Sequence, residues 1–287
     1  MSHDIYTGIL KAFPMFTADK RKVDSIFDNT NPQLNELKSE YPIKTVAGNG
    51  NDFSKAVNLL HWVSKHVYHN NTDEGLAHNS LELLNHSYDN GHSFGVNCIC
   101  LSTILTECLL AVGLKARTVY LLPCSPYDGD NHAVTHVFIK ELNKWVMLDP
   151  SFNAYFTNEQ DKPLSLLELR DEVANQNPVF FSDGAKYNDD ILTEEIKNEK
   201  IEYFFEKNLF YFRMYEKSTF GTSYIPDNRL VILCPHGYNP KQVRVSSIEY
   251  VIKKYYEDNV KTQQWLERVK QEEYIYCSTI DFEESFT

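Results

Sequence analysis

The segment 98–112 constrains the fold more than any other. From Cys98 it runs through Ile99, Leu101, Ile104, Leu105, Leu109, Leu110 and Val112, with few polar residues between them. Coiled as a helix it would be apolar on nearly every side, and such a helix belongs at the centre of a domain rather than on its surface. Gly113 stands where a helix of this kind ends. The chain then turns β-rich at 116–122 and 135–142, and a short apolar run at 145–148 follows the turn at Asn143–Lys144. One buried helix feeding an antiparallel sheet predicts an α+β domain over roughly residues 50–157.

Around this centre the chain divides into three parts. Residues 1–50 read as a mixed helical and loop segment that packs on the core, with a turn-rich stretch at 29–32. Residues 51–157 form the central unit. Ala56, Leu59, Leu60, Val63 and Val67 recur at helical spacing behind Asp52, which is placed to cap the helix. A second helix is expected over 75–87, and the loop 89–97 delivers the chain into the apolar helix. Residues 158–287 form a mixed extension dense in Tyr and Phe, with helices expected at 165–174 and 190–207 and a strand at 230–234. The runs 251–256 and 263–269 fit helix or strand. A cap over the core, a second subdomain and an elaboration of the core are the alternatives for this part.

Composition limits the partners. With 42% hydrophobic and 13% aromatic residues in 287, the chain buries a core and is not disordered. Against 40 Asp and Glu it sets 28 Lys and Arg, for a net charge of −12. That balance repels phosphate backbones and anionic membrane surfaces, so no nucleic-acid or membrane partner is expected. No apolar stretch approaches the ~20 residues of a membrane span. The start, MSHDIYTGILKAFPMF, lacks the basic and uninterrupted apolar parts of an export signal. Six sparse cysteines then predict free thiols in a reducing, cytoplasmic setting.

Three residues of the central unit suit nucleophilic catalysis. Cys98 opens the buried helix, where backbone N–H groups favour a thiolate. His136 lies on the strand after it, and Asp149 follows the next strand, fixed by Pro150. A thiolate attacks an acyl carbon, an imidazole carries the proton, and a carboxylate orients the imidazole. His132 competes with His136 for the role of base, and Asn153 with Asp149 for that of orienter. Cys100 and Cys108 read as buried thiols. Cys98 and Cys100 form a C-x-C pair without a second pair, so no metal site is expected. His61, His66 and His69 do not make a metal-binding spacing and read as surface or core residues. Cys234 and His236 read as a strand end and turn. The chemistry needs no cofactor.

These segments resemble the transglutaminase-like cysteine enzymes, which share a papain-like core. The likeness runs from HWVSKHVY (61–68) through GVNCICLSTILTECLLAVGLKARTVYL (95–121) to HVFIKELNKWVMLDPSF (136–152). The resemblance implies a catalytic triad of Cys98, His136 and Asp149, the last in a W-x-x-x-D-P pattern. It implies an enzyme that attacks an amide or isopeptide bond of a peptide, protein or small amide through a thioester. Hydrolysis is the first expectation; transfer to an amine, or an inactive binding module on the same fold, are the alternatives.

Overall fold

The computed structural model describes residues 3–15, 23, 25–72, 75–225, 227–255 and 259–283. Met1, Ser2 and Phe16 of the N-terminal stretch and Tyr256 of the run 251–256 lie outside them. One eight-stranded sheet organises the chain. Its strands are β1 (Ala116–Leu122), β2 (His132–Ile139), β3 (Lys144–Asp149), β4 (Ala154–Asn158), β5 (Val179–Phe181), β6 (Tyr211–Tyr215), β7 (Leu230–Leu233) and β8 (Tyr274–Tyr276). Their spatial order is β8-β7-β6-β1-β2-β3-β4-β5. Every pairing is antiparallel except β7 with β8. The C-terminal part therefore extends the sheet of the central unit, with β6 joined directly to β1.

Residues opposite one another in the ladder share a face. Ala116 faces Val137 and Val119 faces Val134, and the two pairs belong to different clusters of buried side chains. On one side the sheet meets the helix Cys98–Ala111 together with the helices Pro32–Glu40, Asp52–His66 and Ser80–Ser87. The other side is covered by His3–Ala12, Leu166–Ala174 and the turn through Phe205 and Leu209. The aromatic residues of the extension thus fill a core. Among the described residues no helix is long and apolar enough to cross a membrane.

Local chemistry sets the ends of the central helices. Asn51, rather than Asp52, caps the helix Asp52–His66, its side chain accepting from Ser54 N at 2.9 Å. Asn97 does the same for the helix Cys98–Ala111, accepting from Cys100 N at 3.0 Å. After Val112 the backbone of Gly113 turns left-handed, φ +88°, and Leu114 N donates to Leu109 O. The helix expected at 190–207 begins four residues later, at Glu194, and continues to Asn208 with a π-helical stretch at Lys200–Phe205, while Asp190–Ile191 pairs with Lys186–Tyr187 as a short strand. The expected strand at 135–142 is shifted three residues towards the N-terminus, to His132–Ile139.

Candidate active site

Cys98 is the first residue of its helix and is partly buried, with its own amide in the turn that has no intrahelical acceptor. The approach to it is held by a short parallel bridge between Val96 and His69. Asn70 N donates to Val96 O at 2.8 Å, and Val96 N to Tyr68 O at 2.9 Å. Gly95 makes this approach sterically open: a Cβ there would stand 2.9 Å from Tyr68 O and 3.0 Å from Asn70 Cβ.

The thiol meets two histidines. Burial alone would raise its pKa, but hydrogen bonds from His132 and His69, and the charge those rings can carry, pull it down to about 6. His132 opens β2 and is buried, with Nε2 2.6 Å from Oδ2 of the fully buried Asp149. Nδ1 is then the atom left for the thiol. Burial works against the charged ring of His132, yet the Asp149 carboxylate and the Cys98 thiolate raise its pKa to about 10. Oδ1 of Asp149 accepts from Ser151 N at 2.9 Å, and Ser64 Oγ donates to Pro150 O at 2.8 Å, so the carboxylate is fixed from two sides. Phe152, Phe204 and Phe205 surround the His132 ring at 5.1 to 5.9 Å between centroids.

In the structure Cys98 and Asp149 both meet His132, and His136 lies apart from them. The two histidines lie four residues apart on one strand, a separation of ~13 Å. His136 sits opposite Arg117 in the ladder, with its ring between Trp145 (4.9 Å) and Phe282 (5.5 Å, stacked). Arg117 Nη2 donates to His136 Nδ1 at 3.2 Å and also to the carbonyl of Phe282. His136 Nε2 lies 3.4 Å from Glu283 Oε1. Burial, with the Arg117 charge, lowers the pKa of His136 to about 4 against the pull of Glu283, so the ring is neutral at pH 7. It is a packed core residue.

Asn153 does not orient His132 either. Its Oδ1 binds His61 Nδ1 at 2.8 Å and its Nδ2 donates to Gly184 O.

His69 is the site residue that sequence reasoning missed. Its Nδ1 is 2.7 Å from the Tyr187 hydroxyl, leaving Nε2 for Cys98. Its backbone is clamped by Asn188, whose Oδ1 accepts from His69 N (2.7 Å) and whose Nδ2 donates to His69 O (3.2 Å). The other cysteines are free as well. Cys100, Cys108 and Cys234 are buried, and burial raises the Cys234 thiol to about 12 while His236 lies exposed. Among the described residues no group of three His, Cys, Asp or Glu is arranged to hold a metal ion.

A low-pKa thiol beside a histidine fixed by a buried carboxylate is an arrangement that can carry an acyl group. Residues 40–150 match the family model of the transglutaminase-like superfamily. This segment is a transglutaminase-like domain. Cys98, His132 and Asp149 all fall inside the match, and so does His69. The superfamily generally performs cysteine-dependent acyl transfer. The helices Asp52–His66, Ser80–Ser87 and Cys98–Ala111 and strands β1 to β3 are the transglutaminase-like part, whereas Tyr187 and Asn188, which hold His69, lie beyond it. Comparison with curated proteins and with solved structures gave no significant match.

Proposed function

We propose that the protein is a cysteine hydrolase acting on an amide or isopeptide bond, with Cys98, His132 and Asp149 as its catalytic residues. The contact of one activated thiol with His132, itself held by Asp149, carries this reading. The Cys98 thiolate attacks the carbonyl carbon and forms a tetrahedral oxyanion. His132 gives its proton to the departing nitrogen, the C–N bond breaks, and an amine leaves behind a thioester. Water, activated by His132, then attacks the thioester and releases the carboxylic acid and the thiolate. Asp149 keeps Nε2 of His132 paired through both steps.

The oxyanion needs donors. The backbone N–H of Cys98 is one, at the positive end of its helix. His69 is the second: its Nδ1 is paired with the Tyr187 hydroxyl, which leaves an Nε2–H to donate beside the sulfur. Water is the default acceptor of the thioester, and the six free thiols support a reducing, cytoplasmic setting.

Iodoacetamide at pH 6, with the modified residue located by mass spectrometry, tests the activated thiol. Cys98 should label ahead of the other five cysteines, because ordinary thiols are protonated there. A panel of amides with and without added amines then separates hydrolysis from transfer. Labelling of Cys98 no faster than Cys124, or unchanged amide turnover in Cys98→Ala, sinks the reading.

A further inference from the structure

A hairpin of the C-terminal part reaches the thiol site. Its two short strands, Lys186–Tyr187 and Asp190–Ile191, pair with each other. At its base Lys186 N donates to Phe152 O at 2.9 Å, and Asn153 Nδ2 donates to Gly184 O at 3.1 Å. Both partners stand in the turn that joins Asp149 to β4. At its tip Asp189 Oδ2 accepts from the Tyr68 hydroxyl at 2.8 Å. The hairpin therefore spans from the turn behind Asp149 to the segment that carries His69.

That segment is fixed on two sides. On one, the bridge to Val96 uses Tyr68 O and Asn70 N. The N–H and C=O of His69 itself are left over, and the side-chain amide of Asn188 takes both, at 2.7 and 3.2 Å. One amide thus does what a neighbouring strand would do. The backbone of Asn188 is left-handed, φ +55°, a conformation that asparagine tolerates better than most residues.

With the backbone of His69 held, Tyr187 sets the ring. Its hydroxyl is 2.7 Å from Nδ1 and has no other hydrogen-bond partner among the described residues, so Nδ1 is the acceptor the structure offers to its proton. Burial and the charge of the Cys98 thiolate raise the pKa of the Tyr187 phenol, which keeps that proton in place. The Phe152 ring lies 5.9 Å from the centres of both Tyr187 and His132, so the phenol and the base share one packing partner.

We propose that Tyr187 is a positioning residue of the site: its hydroxyl donates to Nδ1 of His69 and keeps the single ring proton on Nε2, the nitrogen left for the thiol. The proposal rests on the reading of His69 as an oxyanion donor. A hydrogen bond donated to a basic nitrogen favours the uncharged ring, so His132 is the one cation beside the sulfur. A second cation there would hold the thiolate more firmly and make it a weaker nucleophile. The hairpin lies outside residues 40–150, so the C-terminal part supplies a piece of the site.

Two reactions of Cys98 in the full chain, both at pH 7, separate this role from a structural one. Iodoacetamide alkylates the thiolate by displacing iodide and forms no oxyanion. p-Nitrophenyl acetate passes through a tetrahedral oxyanion: the S–C bond forms, p-nitrophenolate leaves, and an acetyl thioester remains. Tyr187→Phe should slow acylation ~10-fold, a part of what loss of the donor itself costs, and should not slow alkylation. Undiminished alkylation certifies that the variant is folded and its thiol intact. Nitrogen-15 spectra of the imidazole read the tautomer directly. In the natural chain His69 should carry its proton on Nε2 alone, and in Tyr187→Phe the two tautomers should mix. A proton on Nδ1, or on both nitrogens, in the natural chain overturns the proposal. So does an acylation rate that Tyr187→Phe leaves unchanged or lowers only together with alkylation. If Cys98 of the natural chain reacts no faster than Cys124 with either reagent, the acyl-transfer reading fails and this proposal falls with it.

Discussion

Arg117 and His136 face each other across β1 and β2, and the guanidinium donates to the imidazole at 3.2 Å. Both lie between Trp145 and Phe282, with the Arg117 guanidinium carbon 4.3 Å and 4.5 Å from the two rings. The His136 ring is thus enclosed by aromatic carbon and by a cation, which is why His132 is the base in our proposal.

His132→Ala and His136→Ala should therefore fail differently. The first should abolish rapid labelling of Cys98 at pH 6 and keep the fold. The second should keep the labelling but lower the stability by ~3 kcal/mol, because it opens a cavity and strands Arg117. Denaturant unfolding and alkylation rates read the two effects, and the reverse pattern would return the role of base to His136.

The pH profile follows from the paired groups. Cys98 loses its proton through about pH 6 and His132 keeps its own until about pH 10, so kcat/KM should rise on the first limb and fall on the second. These limbs belong to the coupled pair. A rising limb near the ordinary thiol value would contradict the ion pair.

Asp149→Asn removes the charge that holds His132 protonated. The upper limb should move down, and kcat should drop on the order of 10³-fold, as when a triad carboxylate becomes an amide. Unchanged kcat would mean that Asp149 only buttresses the turn at Ser151.

His69→Ala should lower kcat by ~10²-fold with little change in KM, the signature of an oxyanion donor. His69→Gln, which restores an N–H, should recover part of the loss. The thiol limb should also shift upward, since one of two hydrogen bonds to the thiolate is gone. A rise in KM with kcat unchanged would make His69 a substrate contact instead.

Glu107 gives stability a pH dependence of its own. Burial outweighs its three donors and raises its pKa from 4.5 to about 7. The folded chain then binds this proton more tightly than the unfolded one, so the stabilisation is complete below pH 4.5 and is lost as pH rises through 7. Comparing wild type with Glu107→Gln over this window should show a relative loss of roughly 3 kcal/mol that flattens above it. A pH-independent difference would refute the shift.

Much of the core was legible because it is periodic. The apolar run after Cys98 and the strand Ala116–Leu122 stand where their residues predict. Asp149 was legible from its turn with Pro150. The place of His132 depends on strand register. It follows the polar stretch SPYDGDN, so its pairing with Leu121 is invisible in a local pattern, and a strand that begins at 135 puts it in a loop. His69 carries no local signal, since its partners Tyr187 and Asn188 come from a strand pair more than a hundred residues away. A Gly at position 95, crowded by Tyr68 and Asn70, was the one hint that those segments touch.

The pairing of β6 with β1 has a consequence for how the molecule can be divided. The family match stops at residue 150, while the strand that covers the outer side of β1 begins at Tyr211. A fragment cut to the matched segment would leave β1 as a bare edge, its amides and carbonyls open along a strand mostly apolar on both faces. Such edges recruit further copies of themselves. The C-terminal strands thus also guard the sheet against self-association, and the Cys98 helix cannot be separated from them without creating an aggregation-prone surface.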